Sequence, residues 1–477
     1  RAQSVMAEGG INAALNTKDE NDSPEEHFTD TIKAACGLAD PNAVWGMTQA
    51  APELVHWLLK LGVKFNMSGY DDVDLRNFGG QKKKRTAFAQ SDTGKQIMTA
   101  MIDAVRRKEA SGMVERFSHH SFLTLRLCGN ICCGCVIRDE YSQETVELPG
   151  DAVIVATGGM HGLFGNTTGS LSNTGEVTAE LFRLGVPLAN GEMIQYHPTT
   201  VKCGGKRMLI SEAARGEGGR LFAMKDGKQW YFMEEKYPEL GNLMPRDITA
   251  REIWKVSHES EVFLDMTEIS DEIISNKLSG LADDCMTYLH KDIRKEPVSV
   301  LPGIHYFMGG ILVDEQHRTP IQNLCAAGEC CAQYHGANRL GGNSLLGALY
   351  GGRVAAKSAC EQADVVDLSC ATQIDFPPAS QISEIKQLNK VMQETMGVVR
   401  NENTLLNGIQ TVQALTGNLP LLGMAVLKSA LARKESRGAH WREDYPKSND
   451  DDYLKTTVAR FDGKQIQISF VPVPERR

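Results

Sequence analysis

The sequence predicts an α/β fold built on a parallel sheet, with an inserted α+β domain and a helical domain towards the C-terminus. Two short apolar runs, residues 151–159 and 324–329, are interrupted by glycines, as strands buried on both faces of a parallel sheet are. Residues 191–303 carry hydrophobic clusters of their own, which predict an inserted domain. Residues 382–433 have a helical pattern without a sheet signal.

Three helices are expected before the first buried strand. The first follows an acidic loop within residues 12–38, where Ser23 and Pro24 supply a capping residue and a first-turn proline. Apolar residues then repeat at helical spacing over residues 44–61 and stop at a glycine. The third helix is expected near residues 94–107.

Strand signals follow these helices. Residues 121–126 and 132–138 are strand-like and precede the first buried run. The small residues at 343–359 predict a helix packed closely on the 324–329 strand. Residues 456–473 hold an Asp-Gly turn signal at 462–463 between alternating segments, which predicts a hairpin.

Length and composition restrict the class of protein. The 477 residues are 42% hydrophobic and 23% charged, and at roughly 150 residues per domain they allow about three domains. A net charge of −9 gives no general basic surface for a phosphate backbone, so no nucleic-acid partner is expected. No run of about 18 apolar residues occurs, so membrane association is expected only through other subunits. The cysteine usage favours a reducing cytoplasm.

Glycines cluster in four segments, residues 7–14, 156–159, 326–329 and 341–346. Such clusters mark places where the backbone approaches another group closely. No strict G-x-G-x-x-G or Walker A pattern occurs, so each segment alone is a weak signal. Their order and separation make the combination specific.

In this order the four segments resemble the flavin-binding segments of the succinate dehydrogenase and fumarate reductase flavoprotein family, which includes L-aspartate oxidase. Five more motifs extend the resemblance along essentially the whole chain: residues 195–199 (QYHPT), 211–219 (SEAARGEGG), 245–247 (PRD), 305–310 (HYFMGG) and 335–340 (HGANRL). Residues 433–440 (RKESRGAH) and 442–445 (REDY) are similar to the C-terminal region of the respiratory members rather than of the aspartate oxidases.

The resemblance implies a Rossmann-like FAD-binding domain at residues 1–190 and 306–365 and a capping domain at 191–305. A helical domain at 375–435 and a C-terminal segment at 436–477 complete the expected order. The phosphate loop of the family would precede residue 1, so the chain is expected to be truncated at its N-terminus. The implied cofactor contacts are Ser4, Glu8, Gly9, Gly10, Ala156, Thr157, Gly158, Glu176, Glu329, Arg339, Asn343, Ser344 and Leu345.

The resemblance also implies a dicarboxylate site, in which each carboxylate needs fixed donors in a place without water. Arg339 is expected to bind one carboxylate through its planar guanidinium group, with His305 beside it. His197 and Ser211 are expected to hold the other.

A proton donor and its relay are implied by two of the motifs. Arg246 of the PRD motif corresponds to the family's proton donor. Glu212 and Arg215, three residues apart and so on one face of an expected helix, correspond to its proton relay. The implied activity is flavin-dependent reduction of fumarate to succinate, or the reverse reaction.

The mode of flavin attachment is predicted from a departure from the family pattern. Many respiratory members carry R-S-H-T at the N-terminal segment, with the histidine covalently bound to the flavin. Here residues 1–4 read RAQS, which places Gln3 at that position. An amide nitrogen is a much weaker nucleophile than a neutral imidazole, so we predict non-covalent FAD. By the resemblance to the family, the absence of a covalent bond in turn implies a bias towards fumarate reduction.

Partners and alternative functions follow from the same resemblance. Electrons are expected from an iron–sulfur partner subunit, since the chain has no ferredoxin-type cysteine spacing. The expected location is cytoplasmic, or the inner face of the membrane through partner subunits. Two alternatives stay open: an L-aspartate oxidase, and a non-catalytic flavin-binding or assembly subunit.

Several conspicuous side chains have a plainer interpretation. Cys128, Cys132, Cys133 and Cys135 are expected to be buried structural thiols rather than a metal cluster, because no second C-x-x-C stands at finger spacing. Residues 82–85 (KKKR) predict a solvated loop. His161 has no carboxylate partner at an informative spacing and is expected to be an ordinary exposed or hydrogen-bonded histidine.

Overall fold

The computed structural model describes residues 2–70, 72–362, 374, 376 and 381–477. The α-helices in this part of the chain span Pro24–Ala34, Pro41–Lys60, Thr93–Ala110, Glu176–Arg183, Glu212–Gly216, Phe232–Lys236, Arg246–Val256, Asp271–Lys277, Ser279–Asp284, Asn343–Gln362, Ile382–Thr395, Glu402–Val412, Asn418–Ala432 and Asp450–Tyr453. Short 3₁₀ or π-helical turns span Gln3–Met6, His161–Leu163, Gly241–Leu243, Cys285–Leu289 and Gly328–Cys330.

The strands form six sheets within the described residues. In spatial order these are Ile11–Asn12, Thr86–Ala87 and Leu75–Arg76; His120–Cys128, Ile131–Asp139 and Thr145–Pro149; Val153–Val155 and Leu324–Ala326; Lys206–Leu209, Ile194–Cys203 and Leu301–Phe307; Lys228–Trp230, Arg220–Lys225, Val262–Asp265 and Val298–Ser299; and Cys331–Ala332, Gly310–Leu312, Leu188–Ala189, Lys455–Phe461 and Ile466–Pro472.

The two buried runs form a parallel pair, as the sequence predicts. Val153–Val155 pairs in parallel with Leu324–Ala326, and the Asn343–Gln362 helix packs on both strands. The prediction that both faces are buried is wrong at Ile154, whose side chain is 41% exposed. Cys325 and Ile154 lie opposite each other in the strand pair, but the alanines of the helix cover Cys325 and not Ile154.

Local capping explains where the first helices begin. Ser23 Oγ accepts a hydrogen bond from the Glu26 backbone N–H at 3.2 Å, and Pro24 is the first helical residue, as predicted. The next helix has the same design, with Asp40 as its cap and Pro41 as its first residue. It begins three residues before the predicted periodic segment because that cap lies outside the apolar pattern.

The inserted region contains more sheet than the sequence suggested. It forms a four-stranded antiparallel sheet and a three-stranded sheet, with its own buried core that includes Leu221, Phe232, Ile253 and Leu264. The separate core agrees with an inserted α+β domain. The expected domain boundaries stay predictions, and those at residues 365 and 375 lie outside the described residues.

The C-terminal region joins the main domain rather than standing apart from it. The helical region predicted at residues 382–433 is confirmed; it consists of three helices that share a core with Phe164, Phe182 and Phe307. The predicted hairpin is also confirmed, and its first strand, Lys455–Phe461, pairs with Leu188–Ala189. Among the helices described here, none has the length and apolar character needed to cross a bilayer.

The basic run at residues 82–85 differs from its predicted exposure at one residue. Arg85 is fully buried, and its Nη2 lies 2.8 Å from Asp22 Oδ1 and 2.9 Å from Asp30 Oδ2. The prediction of a solvated loop is therefore wrong at this residue, because two distant carboxylates compensate its charge. Of the cysteines predicted to be buried thiols, Cys132 and Cys133 are buried free thiols, and Cys135 is free but only half-buried. The prediction is wrong at Cys128, which forms a disulfide bond. No group of side chains suited to a metal ion is found among the described residues.

Candidate active site

A cavity of about 870 Å³ lies where the N-terminal residues, the inserted region and the start of the Asn343–Gln362 helix meet. The fold brings together at its wall most of the sequence-predicted site residues: Ser4, Glu8, Gly9, Gly10, Ala156, Thr157, Gly158, His197, Ser211, Glu212, Arg246, His305, Glu329, Arg339, Ser344 and Leu345.

Three predicted site residues lie behind or away from this wall. Arg215 contacts Glu212 from behind, with Nη2 at 3.3 Å from Oε1. Asn343 begins its helix and accepts a hydrogen bond from Asn12 Nδ2 at 2.7 Å. Glu176 is exposed at the start of the Glu176–Arg183 helix.

The two histidines lie on neighbouring antiparallel strands. His197 is on Ile194–Cys203, and His305 is on Leu301–Phe307 at a register shift that leaves it as the extra residue of a bulge. Their ring centroids are 5.2 Å apart. Thr168 Oγ1 lies 2.8 Å from His305 Nδ1, and so fixes the orientation of that ring.

Glu212 connects two arginines in the buried part of the site. Its Oε2 accepts hydrogen bonds from Arg246 Nε at 2.8 Å and from Arg246 Nη2 at 2.5 Å, while Oε1 faces Arg215. Ser211 caps the short helix that carries Glu212 and Arg215. Burial alone would raise the pKa of Glu212, but the two guanidinium groups hold it below its usual value. Glu212 is therefore ionised and orients Arg246.

Two side chains near Arg246 present unpaired nitrogen atoms at the cavity. His197 Nε2 and Arg339 Nε are buried and have no hydrogen-bond partner among the described residues. The Arg339 guanidinium lies 4.3 Å from the centroid of the Tyr306 ring, which supports it from one side. Burial, and next the charge of Arg246, lower the pKa of Arg339 to about 9. It remains cationic at neutral pH, and none of the described carboxylates forms a salt bridge with it, although Glu329 and Glu212 lie near enough to act on its charge.

The charges around Arg246 suit a dianion. Arg215, Arg246 and Arg339 supply three positive charges, which face the negative charges of Glu212 and, on the cofactor side, of Glu329, so positive charge is in excess. His197 and His305 are neutral at pH 7, since burial and then Arg246 lower the pKa of each well below its usual value. Neutral imidazoles can still donate a hydrogen bond to an oxygen atom. The arrangement can hold two carboxylates and place an N–H donor between them.

Comparison with known proteins identifies the family. The family model described as "FAD binding domain" matches residues 1–345, and the one described as "Fumarate reductase flavoprotein C-term" matches residues 415–476. The succinate dehydrogenase flavoprotein subunit of Bacillus subtilis is 37% identical, over 100% of this chain and 92% of its own length. The chain belongs to the succinate dehydrogenase/fumarate reductase flavoprotein family. It is accordingly an FAD-dependent oxidoreductase of this type.

Two further similarities agree with this assignment. The 8-methylmenaquinol:fumarate reductase flavoprotein subunit of Wolinella succinogenes is 31% identical, over 100% of this chain and 86% of its own. The solved structure of the E. coli quinol fumarate reductase FrdA superposes with a TM-score of 0.89 at 27% identity, over 99% of this chain and 90% of that one. The resemblance inferred from the motifs is confirmed.

The cavity of this family member fits FAD. Two buried oxygen atoms on its N-terminal wall, Gln3 Oε1 and Glu8 Oε2, have no hydrogen-bond partner among the described residues. Both can form a hydrogen bond to a ligand in the cavity. Gly158 (φ 74°) and Gly342 (φ 85°) have left-handed backbones, and a Cβ at either would meet an asparagine side chain within 2.6 Å. Only glycine keeps these turns of the wall in place.

The flavoprotein has site residues that sequence reasoning did not assign. Gln195 accepts a hydrogen bond from Arg246 Nη1 at 3.0 Å and donates to the Arg339 carbonyl at 2.9 Å, which couples the two arginines. Tyr306 lies under Arg339. Both stand inside the quoted motifs, next to or two residues from a predicted histidine, and alternation along a strand would have placed Gln195 on the same face as His197.

Glu8 is expected to make the apoprotein less stable as pH rises. Burial, and then the nearby Asp284 carboxyl, raise its pKa from 4.5 to about 8. The folded chain thus keeps this proton through an interval in which the unfolded chain has lost it, so the contribution of Glu8 to stability falls with rising pH and is lost above about pH 8. E8Q cannot ionise and should not share this loss.

The measurement is the Tm of FAD-free wild type and E8Q across this interval. The difference in favour of E8Q should grow from about pH 6 to about pH 8 and then level off. Comparing the two proteins at each pH cancels the titration of every other group. A difference that stays constant with pH would contradict the assigned protonation of Glu8.

Proposed function

We propose that this flavoprotein interconverts fumarate and succinate. The observation that carries the proposal is the excess of positive charge around Arg246, together with unpaired buried donors on Arg339 and His197. A dicarboxylate neutralises this excess and satisfies both donors. A preference for fumarate reduction is part of the proposal and rests on the non-covalent flavin expected from Gln3. When bound, FAD supplies the hydride for the reaction.

Binding and orientation of the substrate are divided between two sides of the cavity. Arg339 and His305 hold one carboxylate, and His197 and Ser211 hold the other. Because these groups come from rigid elements, two strands, a helix start and the segment before the Asn343–Gln362 helix, the double bond is fixed next to Arg246. The C-terminal family match supports the respiratory type over the aspartate oxidases.

The proton is donated by a guanidinium N–H of Arg246. Arginine is a poor acid in water, so the step requires that the proton be replaced at once. Glu212 is ionised at rest and passes the replacement proton on, since its Oε1 faces Arg215 Nη2 and its Oε2 accepts from Arg246 Nε and Nη2. The proton comes from solvent by way of Arg215, reaches Glu212, and is transferred from Glu212 to Arg246. Arg215 stands on the far side of Glu212, with its Nη1 donating to the Asn242 carbonyl at 2.6 Å, and continues the relay.

The activity is tested with the FAD-loaded protein, reduced viologen and fumarate. Reoxidation of the viologen that depends on fumarate is expected. Complete absence of turnover with bound FAD would favour a non-catalytic flavin-binding subunit. Reduction of the flavin by L-aspartate would favour the aspartate oxidase alternative, and no such reduction is expected.

Electron supply by an iron–sulfur subunit is part of the proposal. The chain itself offers no metal-binding cluster within its described residues, and several relatives are named as subunits. Purifying the native complex should yield a co-migrating protein that contains iron and acid-labile sulfide. Native protein that migrates alone, with full activity from a soluble donor, would contradict this.

FAD is expected to be held without a covalent bond. Gln3 lines the cavity and its Oε1 is unpaired, so the residue faces the cofactor region with an amide in place of a nucleophilic imidazole. After acid precipitation, yellow flavin should remain in the supernatant and the pellet should be colourless. Flavin fluorescence in the denatured protein band on a gel would contradict the prediction.

A further inference from the structure

His161 is buried close to the wall of the cavity. It begins the His161–Leu163 turn two residues after the glycine segment 156–159, and its side chain is 3% exposed. It does not itself line the cavity. The structure places a carboxylate next to it that sequence spacing did not indicate. This is Glu329, 168 residues away in the chain, whose Oε1 is 3.4 Å from His161 Nε2.

The contacts of the imidazole determine its proton. Nε2 lies 3.4 Å from Glu329 Oε1, within ion-pair distance but without hydrogen-bond geometry, and has no hydrogen-bond partner among the described residues. A neighbouring carboxylate oxygen favours the tautomer with the hydrogen on Nε2. Nδ1 is 3.0 Å from Thr167 Oγ1 and accepts from that hydroxyl in the neutral ring. The hydroxyl is fixed in turn, because it also accepts from the Gly169 backbone N–H at 3.1 Å.

Glu329 is held on one oxygen only. Its Oε1 accepts a hydrogen bond from the Phe307 backbone N–H at 3.1 Å and faces His161 Nε2. A Cβ at Gly159 would come within 2.6 Å of the same oxygen, so the glycine allows the carboxylate to sit close to the wall. With Oε1 engaged in this way, the second oxygen is the one offered to a ligand in the cavity.

We propose that His161 is a positioning residue for FAD binding, which acts by orienting the Glu329 carboxylate towards a hydroxyl group of the cofactor. A hydrogen bond from a hydroxyl to an oriented carboxylate is stronger than one to a freely rotating group, because the orientation has been fixed before binding. The inference rests on the proposed role of Glu329 as a cofactor contact.

A purely structural role for His161 predicts different behaviour. The ring packs edge-on against Phe307 at 4.9 Å between centroids, and Gly169 approaches it closely. His161→Phe keeps an aromatic ring in this place and removes both nitrogens. If His161 only fills space, this variant should bind FAD normally.

The test is a double-mutant cycle on the Kd of the apoprotein for FAD, measured by quenching of flavin fluorescence. H161F is expected to raise the Kd about 10-fold, E329Q about 10-fold or more, and the double variant no more than about 2-fold beyond E329Q. Coupling of this size means that His161 acts through Glu329. Effects that multiply, or an unchanged Kd in H161F, would overturn the proposal.

Further variants and a separate activity assay distinguish the possible reasons for a change in the Kd for FAD. H440F removes another buried histidine, one that contacts Arg400 and the Arg433 carbonyl instead, and should leave the Kd for FAD within about 2-fold. H161Q retains a donor and should bind FAD better than H161F. If H161F does not fold, H161L, which also lacks both ring nitrogens, replaces it in the cycle. An unchanged Kd in E329Q would refute the cofactor role of Glu329 itself, whereas the viologen assay tests the proposed reaction separately.

Discussion

Replacing Arg246 by glutamine is expected to lower kcat for fumarate reduction by at least about 10³-fold, which corresponds to about 4 kcal/mol of barrier. Arg246 is the only cationic donor that both lines the cavity and is hydrogen-bonded to the relay carboxylate Glu212 among the described residues. Glutamine keeps an N–H group but is neutral, and it cannot be reprotonated by Glu212. The loss should therefore fall on the chemical step.

The R246Q experiment measures kcat with reduced viologen, together with the FAD content from the visible spectrum. FAD content should stay near the wild-type value, because the N-terminal wall and the Asn343–Gln362 helix start are untouched. R353Q is the matched control: it removes an arginine that pairs with Glu53 at the protein surface, and its kcat should be unchanged. Near-normal turnover in R246Q would remove Arg246 from the proton-donating role.

The fold was predictable where the signal is local. Ser23 with Pro24, and the turn at residues 462–463, specify their elements within a few residues, so the first helix and the last hairpin were found. The exposure of Ile154 and the burial of Arg85 were not, because each depends on what another part of the chain covers or supplies. An isolated basic run looks the same whether its counter-charges are in solvent or 63 residues away.

The sequence predicted which residues form the site, but not the hydrogen bonds that connect them. The motifs gave the order of Glu212, Arg246 and Arg339, but the bond between Glu212 and Arg246 spans 34 residues, and that between Gln195 and the Arg339 carbonyl spans 144. The first pair forms within the inserted region, and the second joins that region to the main domain, so both depend on the folded chain rather than on local sequence. The contact between His161 and Glu329 escaped notice for the same reason, since no spacing rule relates residues on different elements.

Replacing Arg339 by leucine is expected to weaken dicarboxylate binding about 100-fold, about 2.7 kcal/mol, and to lower kcat as well. The guanidinium contributes to the excess of positive charge in the site, and its buried Nε lacks a partner among the described residues. A carboxylate bound to it is held in both the ground state and the transition state, so its loss affects KM and kcat together. Leucine also leaves the face of Tyr306 without its cation.

The R339L experiment needs a readout of binding that is separate from turnover. Titrating the FAD-loaded variant with succinate, followed by the change in the flavin spectrum, gives the Kd directly, and the flavin content shows whether Arg339 also holds the cofactor. R339K keeps the charge but not the planar pair of donors, so it should recover part of the affinity and less of the kcat. Dicarboxylate affinity in R339L equal to that of the wild type would show that the charge excess around Arg246 serves something other than the second carboxylate.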